Sequence, residues 1–210
     1  MNPMVEIAVD PLGAEQKRRL VTRMANSVIA HADELTALDA AIGDGDHGHN
    51  MKRGFEAVLA DVEGSSALPL PELLRAIGMK LIMKVGGASG PLYGTLFVTL
   101  GKETPPNPTR EEVVTALREA IEAVKARGKS NVGQKTMIDV LTPALAEFAA
   151  GRSLNAVADM ARRAAEATVP MRATRGRASF LGERSVGHMD PGARSAALMI
   201  AAVCEEFGAL

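Results

Sequence analysis

The sequence has no tryptophan, one tyrosine and five phenylalanines, so aromatics reach only 3% of its 210 residues. That scarcity disfavours base-stacking surfaces and all-β folds, which draw on aromatic and β-branched side chains. A basic excess is also missing: 24 Lys and Arg stand against 25 Asp and Glu, a net charge of -1. Nucleic-acid binders normally carry such an excess, and no nucleic-acid partner is expected. The first residues, MNPMVEIAVD, have neither the charged start nor the apolar run of a signal peptide. The longest apolar run, AALMIAAVC at 196–204, is far short of the ~20 residues that span a bilayer, so no membrane partner is expected. Cys204 is the single cysteine. It cannot form an intrachain disulfide and reads as a small apolar residue, consistent with a cytoplasmic location.

What is present is a globular balance, 47% hydrophobic and 23% charged. The spacing predicts an amphipathic helix over 109–127. Val113, Leu117, Ala120 and Val124 recur at threes and fours, while Glu111, Arg118, Glu122 and Lys125 face away. Thr109 with Glu112 is a capping-box signature, and Gly128 follows the end. Helices are also expected at 13–31, 47–62, 71–85, 89–103, 136–150, 153–170 and 190–207. Asp190 can cap the last, with Pro191 in its first position. No segment alternates as a strand. The expectation is an all-α fold: one domain over 1–210, a bundle of about eight antiparallel helices. Four connections stand out by composition: 38–50, 85–94, 127–137 and 171–192. In an up-and-down bundle all four fall at the same end.

The first of them, LDAAIGDGDHGHN, packs three aspartates, two histidines and three glycines into thirteen positions. GDGDHG spells a dinucleotide-loop pattern, but ADELTALDAAI before it reads as helix where a strand is required, and Asp44 and Asp46 would repel a pyrophosphate. An EF-hand fails by register, since the sixth position from Asp44 is His49 and the twelfth is Phe55. Zinc lacks ligands beyond His47 and His49, with His31 and His188 remote in sequence. Two readings remain. The aspartates cap a helix and solvate a loop, or they hold magnesium, which prefers carboxylate oxygen and shares its shell with phosphates. Three hard ligands, Asp39, Asp44 and Asp46, with glycine spacers favour the second. A helix starting near His47 would add its positive N-terminal end to the anion site.

VGGASGPLYG suits a phosphate- or base-cradling turn and equally suits close helix packing through small residues. It is no P-loop, because no G-K-[ST] follows. Such a tail occurs at Gly128, Lys129 and Ser130, but Ala123 stands where the first glycine belongs. The 171–192 stretch carries Arg172, Arg175, Arg177 and Arg184. Opposite an acidic metal loop, these read as a lid that neutralises phosphoryl charge.

LDAAIGDGDHGHNM, VGGASGPLYGT, RGKSNVGQKTMIDV and RGRASFLGERSVGHMDPGA together resemble, in order and spacing, the nucleotide-binding L subunit of dihydroxyacetone kinase. The likeness runs from about residue 12 to the C-terminus. It implies an eight-helix antiparallel barrel with ADP or ATP at one end and two Mg²⁺ ions held by Asp39, Asp44 and Asp46. It implies nucleotide contacts from His47, Gly48, His49 (through its backbone), Asn50, Ala88 and Ser89. Gly128 and Met137 would line the adenine side, Arg177 would reach over the nucleotide, and Asp190, Pro191 and Gly192 would close the site.

The resemblance also implies a partner, a K subunit that binds dihydroxyacetone covalently through a histidine. No catalytic base is therefore assigned on this chain. A phosphotransferase-system protein is one expected phosphoryl donor and exchanging ATP the other. The acceptor is dihydroxyacetone or another short ketose such as erythrulose, and a homodimer is compatible with the reading. A non-catalytic, nucleotide-sensing module that binds a regulatory protein is the alternative.

Overall fold

The side chains of Thr109, Ser153 and Asp190 cap the starts of three helices. The computed structural model describes residues 12–208, so the N-terminal stretch read for a signal lies outside the described residues. Its helices are α1 (Ala14–Ala30), α2 (Ala32–Ile42), α3 (His47–Ala60), the single turn α4 (Val62–Ser65), α5 (Leu70–Lys84), α6 (Ser89–Glu103), α7 (Arg110–Gly128), α8 (Ile138–Ala149), α9 (Leu154–Glu166) and α10 (Pro191–Gly208). The capping box forms as expected. Thr109 Oγ1 accepts from the Glu112 N–H at 3.3 Å, and Glu112 Oε2 accepts from the Thr109 N–H at 2.7 Å. Asp190 caps α10, accepting the Ala193 N–H at 2.7 Å.

Eight of these helices close a ring. α1 packs on α3, α3 on α5, α5 on α6, and so on through α10, which returns to α1. These eight are the ones expected from the sequence. Outside the ring, α2 splits from α1 at His31, whose backbone (φ -103°, ψ 15°) departs from helical geometry, and packs on α3 and α10. The 171–189 connection is also more regular than a loop. It holds a 3-10 helix over Arg177–Ser185, kinked at Gly182. The stretch from α9 to α10 is called the strap below.

The core explains the scarcity of aromatics. Tyr93 and Phe55 are its largest fully buried side chains, and much of the rest is small: Ala25, Ala120, Ala161, Ala165, Ala193 and Ala196 are each at most 1% exposed. Small residues let ring helices approach closely, most of all α5 and α6. A Cβ on Gly78 would lie 2.7 Å from Val98 N and 2.8 Å from Gly94 O, both main-chain atoms that cannot swing aside. A second, smaller apolar cluster of Ile42, Ala173 and Ala178, with Leu181 beside it, seats the strap on α2.

Gly78→Ala is therefore expected to destabilise the protein by about 1–3 kcal/mol, the usual cost of overpacking. In a thermal melt that is a loss of roughly 3–10 °C for a domain of this size. An unchanged midpoint would show that α5 and α6 separate without cost.

Candidate functional site

Asp39 sits in the last turn of α2, 8% exposed, and its carboxylate organises the loop that follows. Oδ2 accepts the N–H groups of Asp46 at 2.8 Å and His47 at 3.1 Å. The chain can fold back this tightly because position 43 is glycine: any Cβ there would overlap Asp39 Oδ1. Gly45 turns through φ +74°, a region L-residues rarely enter. As a result, carboxylate oxygens of Asp39, Asp44 and Asp46 lie within 4.8 Å of one another. Three convergent hard oxygens fit a divalent cation of the magnesium class. One expectation needs revision. The N–H groups of Asp46 and His47 turn inward to Asp39, so they are not free for an anion.

Beneath the loop lies His47, 7% exposed. Its Nδ1 meets Ser89 Oγ and its Nε2 meets Ser195 Oγ, both at 2.9 Å. Ser195 Oγ lies 2.7 Å from the Tyr93 hydroxyl, which donates to the Gly192 carbonyl at 3.1 Å. This chain of polar contacts ties α3, the glycine-rich turn and the start of α10 into one floor. Burial drives the His47 pKa down to about 4, against the pull of Asp39 and Asp46, so the ring is neutral at pH 7. Burial pushes the Tyr93 phenol up, keeping it a donor.

Above this floor opens a cleft of about 170 Å³, walled by all four connections expected to meet at one end. Asp39, Asp44, Asp46 and His47 come from the first, and Ala88 and Ser89 from the second. Met137 comes from the third, and Arg177, Asp190, Pro191 and Gly192 from the strap and the start of α10. Arg177 Nε lies 3.1 Å from Asp44 Oδ2, so the strap touches the aspartate loop directly.

Four of the expected residues stand elsewhere. Gly48 is the point where α3 presses on α2, for a Cβ there would overlap the Ala32 carbonyl and the Thr36 side chain. His49 is exposed, its Nδ1 3.3 Å from Thr36 Oγ1. Asn50 is buried behind the glycine-rich turn, accepting from Arg53 at 2.9 Å. Gly128 ends α7, with Leu92 and Ser130 next to it. Nor do all four strap arginines face the aspartates. Arg175 and Arg177 line the cleft, whereas Arg172 pairs with Glu183 at 3.0 Å and Arg184 does not reach it.

Several cleft residues were not singled out from the sequence, among them Tyr93, Thr136 and Lys135. Tyr93 is the only tyrosine in the chain, a rarity that could have flagged it. Lys135 carried no signal, being a lysine in a polar turn that folding places at 1% exposure.

In the glycine-rich turn, Gly87 turns at φ +64° beside the cleft, while Gly90 packs on the Val85 carbonyl and Gly94 on the Ile82 side chain and the Gly78 carbonyl.

Known proteins resemble this chain in sequence and fold. The family model described as the DAK2 domain matches residues 41–205. The ADP-binding subunit DhaL of a PEP-dependent dihydroxyacetone kinase from Listeria innocua is 43% identical over 172 residues, covering 81% of this chain and 85% of the relative. The corresponding subunit from Escherichia coli is 39% identical over 190 residues, covering 86% and 90%. The dihydroxyacetone kinase of C. freundii superposes with a TM-score of 0.74 at 28% identity in its native form. Its complex with AMP-PNP and Mg²⁺ gives 0.72 at 26%. This chain spans only 37% and 36% of those two solved chains. The matched stretch contains three of the four connections around the cleft whole and residues 41–50 of the other, with Asp44 and Asp46 though not Asp39, and the chain belongs to the DAK2-domain family.

Proposed function

We propose that this protein is the nucleotide-binding subunit of a dihydroxyacetone-type kinase, one domain throughout. It holds ADP or ATP with two Mg²⁺ ions in the cleft and passes a phosphoryl group to a short ketose on a separate K-type subunit. The observation that carries the reading is the convergence of Asp39, Asp44 and Asp46 on one wall of a cleft whose strap carries Arg175 and Arg177. Carboxylates alone would repel phosphate, and arginines alone would not hold a cation; together they suit a metal–nucleotide pair. Both bacterial relatives are named as PEP-dependent, which favours resident ADP recharged by a phosphotransferase-system protein over exchanging ATP. Among the described residues no helix is long and apolar enough to cross a membrane, which is compatible with a cytoplasmic site of action.

The residues divide the work. Asp39, Asp44 and Asp46 would hold the metal, which when bound supplies positive charge to the phosphates and to the oxygens between which the phosphoryl group moves. Asp39 also fixes the loop through its two N–H partners, so a change there disturbs the fold as well as the ligand set. Asp44 makes no such main-chain bond and its side chain is 37% exposed, which makes it the cleaner position to alter. Ser89 and the start of α6 line the cleft beside the aspartates and would face the phosphates, with His47 setting the Ser89 hydroxyl. Leu92 and Met137 give the cleft an apolar wall suited to a base.

Asp190 adds a pH dependence. Burial pushes its carboxyl up to about 7, with the Ala193 N–H and the Lys135 charge pulling the other way. A neutral Asp190 spares the cleft a fourth negative charge. Between about pH 4 and pH 7 the folded state then keeps a proton that the unfolded state has released. The Asp190 contribution to stability therefore falls as pH rises through that window, by at most about 1.4 kcal/mol per pH unit, while His47, held neutral in the folded state, contributes in the opposite sense below about pH 6.5.

Three outcomes are expected. After chelation, ADP at about 100 times its dissociation constant should raise the melting point by roughly 5–10 °C with Mg²⁺ present and little without it. Asp44→Ala should weaken Mg²⁺·ADP binding by about 100-fold, since loss of even an outer-shell partner of a metal site costs 10- to 100-fold. Calorimetry decides this, and tight binding by the variant would remove Asp44 from the metal site. Asp190→Asn keeps a good cap and loses the titration. Its stability relative to wild type in urea unfolding, without metal or nucleotide, should climb from about pH 4 to pH 7 and then level off. A pH-independent difference would show that Asp190 is ionised throughout.

A further inference from the structure

Lys135 is among the most deeply buried side chains in the protein, although lysine is almost never fully buried without an ionic partner. No carboxylate forms an ion pair with it among the described residues. Instead its Nζ lies 2.5–3.4 Å from five main-chain carbonyl oxygens, those of Thr168, Val169, Met171, Ser185 and His188. An ammonium has three protons, so five acceptors form a dipolar cage around a charge, in the manner of carbonyls around an alkali cation.

The acceptors of that cage come from separate parts of the strap. Residues 168, 169 and 171 leave α9, Ser185 ends the 3-10 helix, and His188 stands two residues before the cap of α10. One charge thus holds the beginning, the middle and the end of the connection that carries Arg175 and Arg177. The lysine itself is held in an uncommon conformation, φ +62°, which persists only where its surroundings enforce it. The enforcing group is Asp139, 5% exposed, whose carboxylate takes the N–H groups of Gly133 and Thr136 on either side of the turn.

We propose that Lys135 is a positioning residue for the cleft: its caged ammonium ties the two ends of the strap together and thereby sets Arg177 and Asp190 against the aspartate loop. The strap has other attachments. Its ends are also joined by the Gly187 N–H to the Val169 carbonyl at 2.9 Å and by the Asp190 N–H to Thr168 Oγ1 at 3.0 Å. Arg177 touches Asp44, and the apolar cluster with Ile42 grips the first half of the strap and part of the 3-10 helix. Of these contacts, only those of Lys135 reach its beginning, middle and end at once. Methionine matches the stem of lysine without its charge, and would leave the five carbonyls facing an apolar group. The inference rests on the proposed function in one respect, that Arg177 acts on bound nucleotide.

The test compares Lys135→Met, Arg177→Gln and their combination, with Lys135→Ala for chemical rescue. Trypsin followed by mass spectrometry reads cutting at Arg172–Arg184, and calorimetry reads Mg²⁺·ADP affinity. Lys135→Met is expected to melt cooperatively and to be cut in the strap about tenfold faster, following the population of the opened strap. Its Mg²⁺·ADP affinity should fall about tenfold, as for other residues that orient a metal site from behind. Arg177→Gln should cost about tenfold in the wild type but less than about twofold in the Lys135→Met background, because the strap is already released. In Lys135→Ala, n-propylammonium should restore both strap protection and affinity, and n-propanol should restore neither.

Multiplicative losses in the double variant would overturn the coupling to Arg177. An unchanged cutting rate, equal rescue by n-propanol or no rescue by the amine would overturn the caged charge. Loss of cooperative melting in Lys135→Met would make the lysine a requirement for folding and not a positioning residue. If wild-type protein fails to bind Mg²⁺·ADP, the proposed function falls, while protease protection and amine rescue still judge the anchor.

Discussion

Carboxylate oxygens within 4.8 Å of one another repel strongly. At the effective dielectric of a protein surface, each pair of unit charges at that separation costs roughly 3 kcal/mol. Folding brings three such groups together at one end of the ring, and much of the local structure answers that cost. Asp39 receives two N–H groups from the start of α3. Asp44 receives the Arg177 guanidinium. Asp190, lining the same cleft, stays protonated to about pH 7. Lys135 brings a full positive charge to the wall, and its cage of carbonyls leaves that charge uncancelled by a carboxylate. A divalent cation would complete the same compensation, so the proposed metal site rests on the arrangement and not on the count of aspartates.

The remainder of the fold makes this crowding tolerable by being rigid. Alanine and glycine at the ring contacts bring helix axes close, and close contacts between main chains leave little room for relative movement. The scarcity of aromatics belongs to the same design. Tyr93 is the exception that shows the division, since its ring fills the core while its hydroxyl joins the polar floor under the cleft.

Legibility in the sequence followed the range of the interaction. Local signals were readable. Thr109 with Glu112, and Asp190 with Pro191, mark helix starts that the structure keeps, and the eight ring helices follow from periodicity and from the turns between them. The common end of the four connections followed from parity along a ring. The end of the first helix at 31 and the helical character of 32–42 were readable too, but that α2 would leave the ring and pack on α3 and α10 was not, because that placement depends on distant contacts. Within the site, the aspartates were legible because their spacing is local. Motif position alone placed Gly48 and Asn50 beside the nucleotide, whereas the structure uses the first for contact with α2 and the second behind the glycine-rich turn. Lys135 was illegible for the opposite reason, since its five partners lie 33 to 53 residues away.

On the proposed function, the contact between Arg177 and Asp44 links the strap to metal binding, because the guanidinium and a cation would compete for the same carboxylate. Both partners of the pair are substantially exposed, with side chains 69% and 37% accessible. Such a pair contributes at most about 1 kcal/mol, so a metal displaces it at little cost. On the proposed function, the displaced arginine remains on a strap whose ends are fixed, and its nearest new source of negative charge is the nucleotide phosphate that the same metal brings. Binding of the cation would then both free Arg177 and supply its next partner. A strap held at its ends by Lys135 can allow that exchange of partners by side-chain rotation alone, without moving its main chain or uncovering the floor formed by His47, Ser195 and Tyr93.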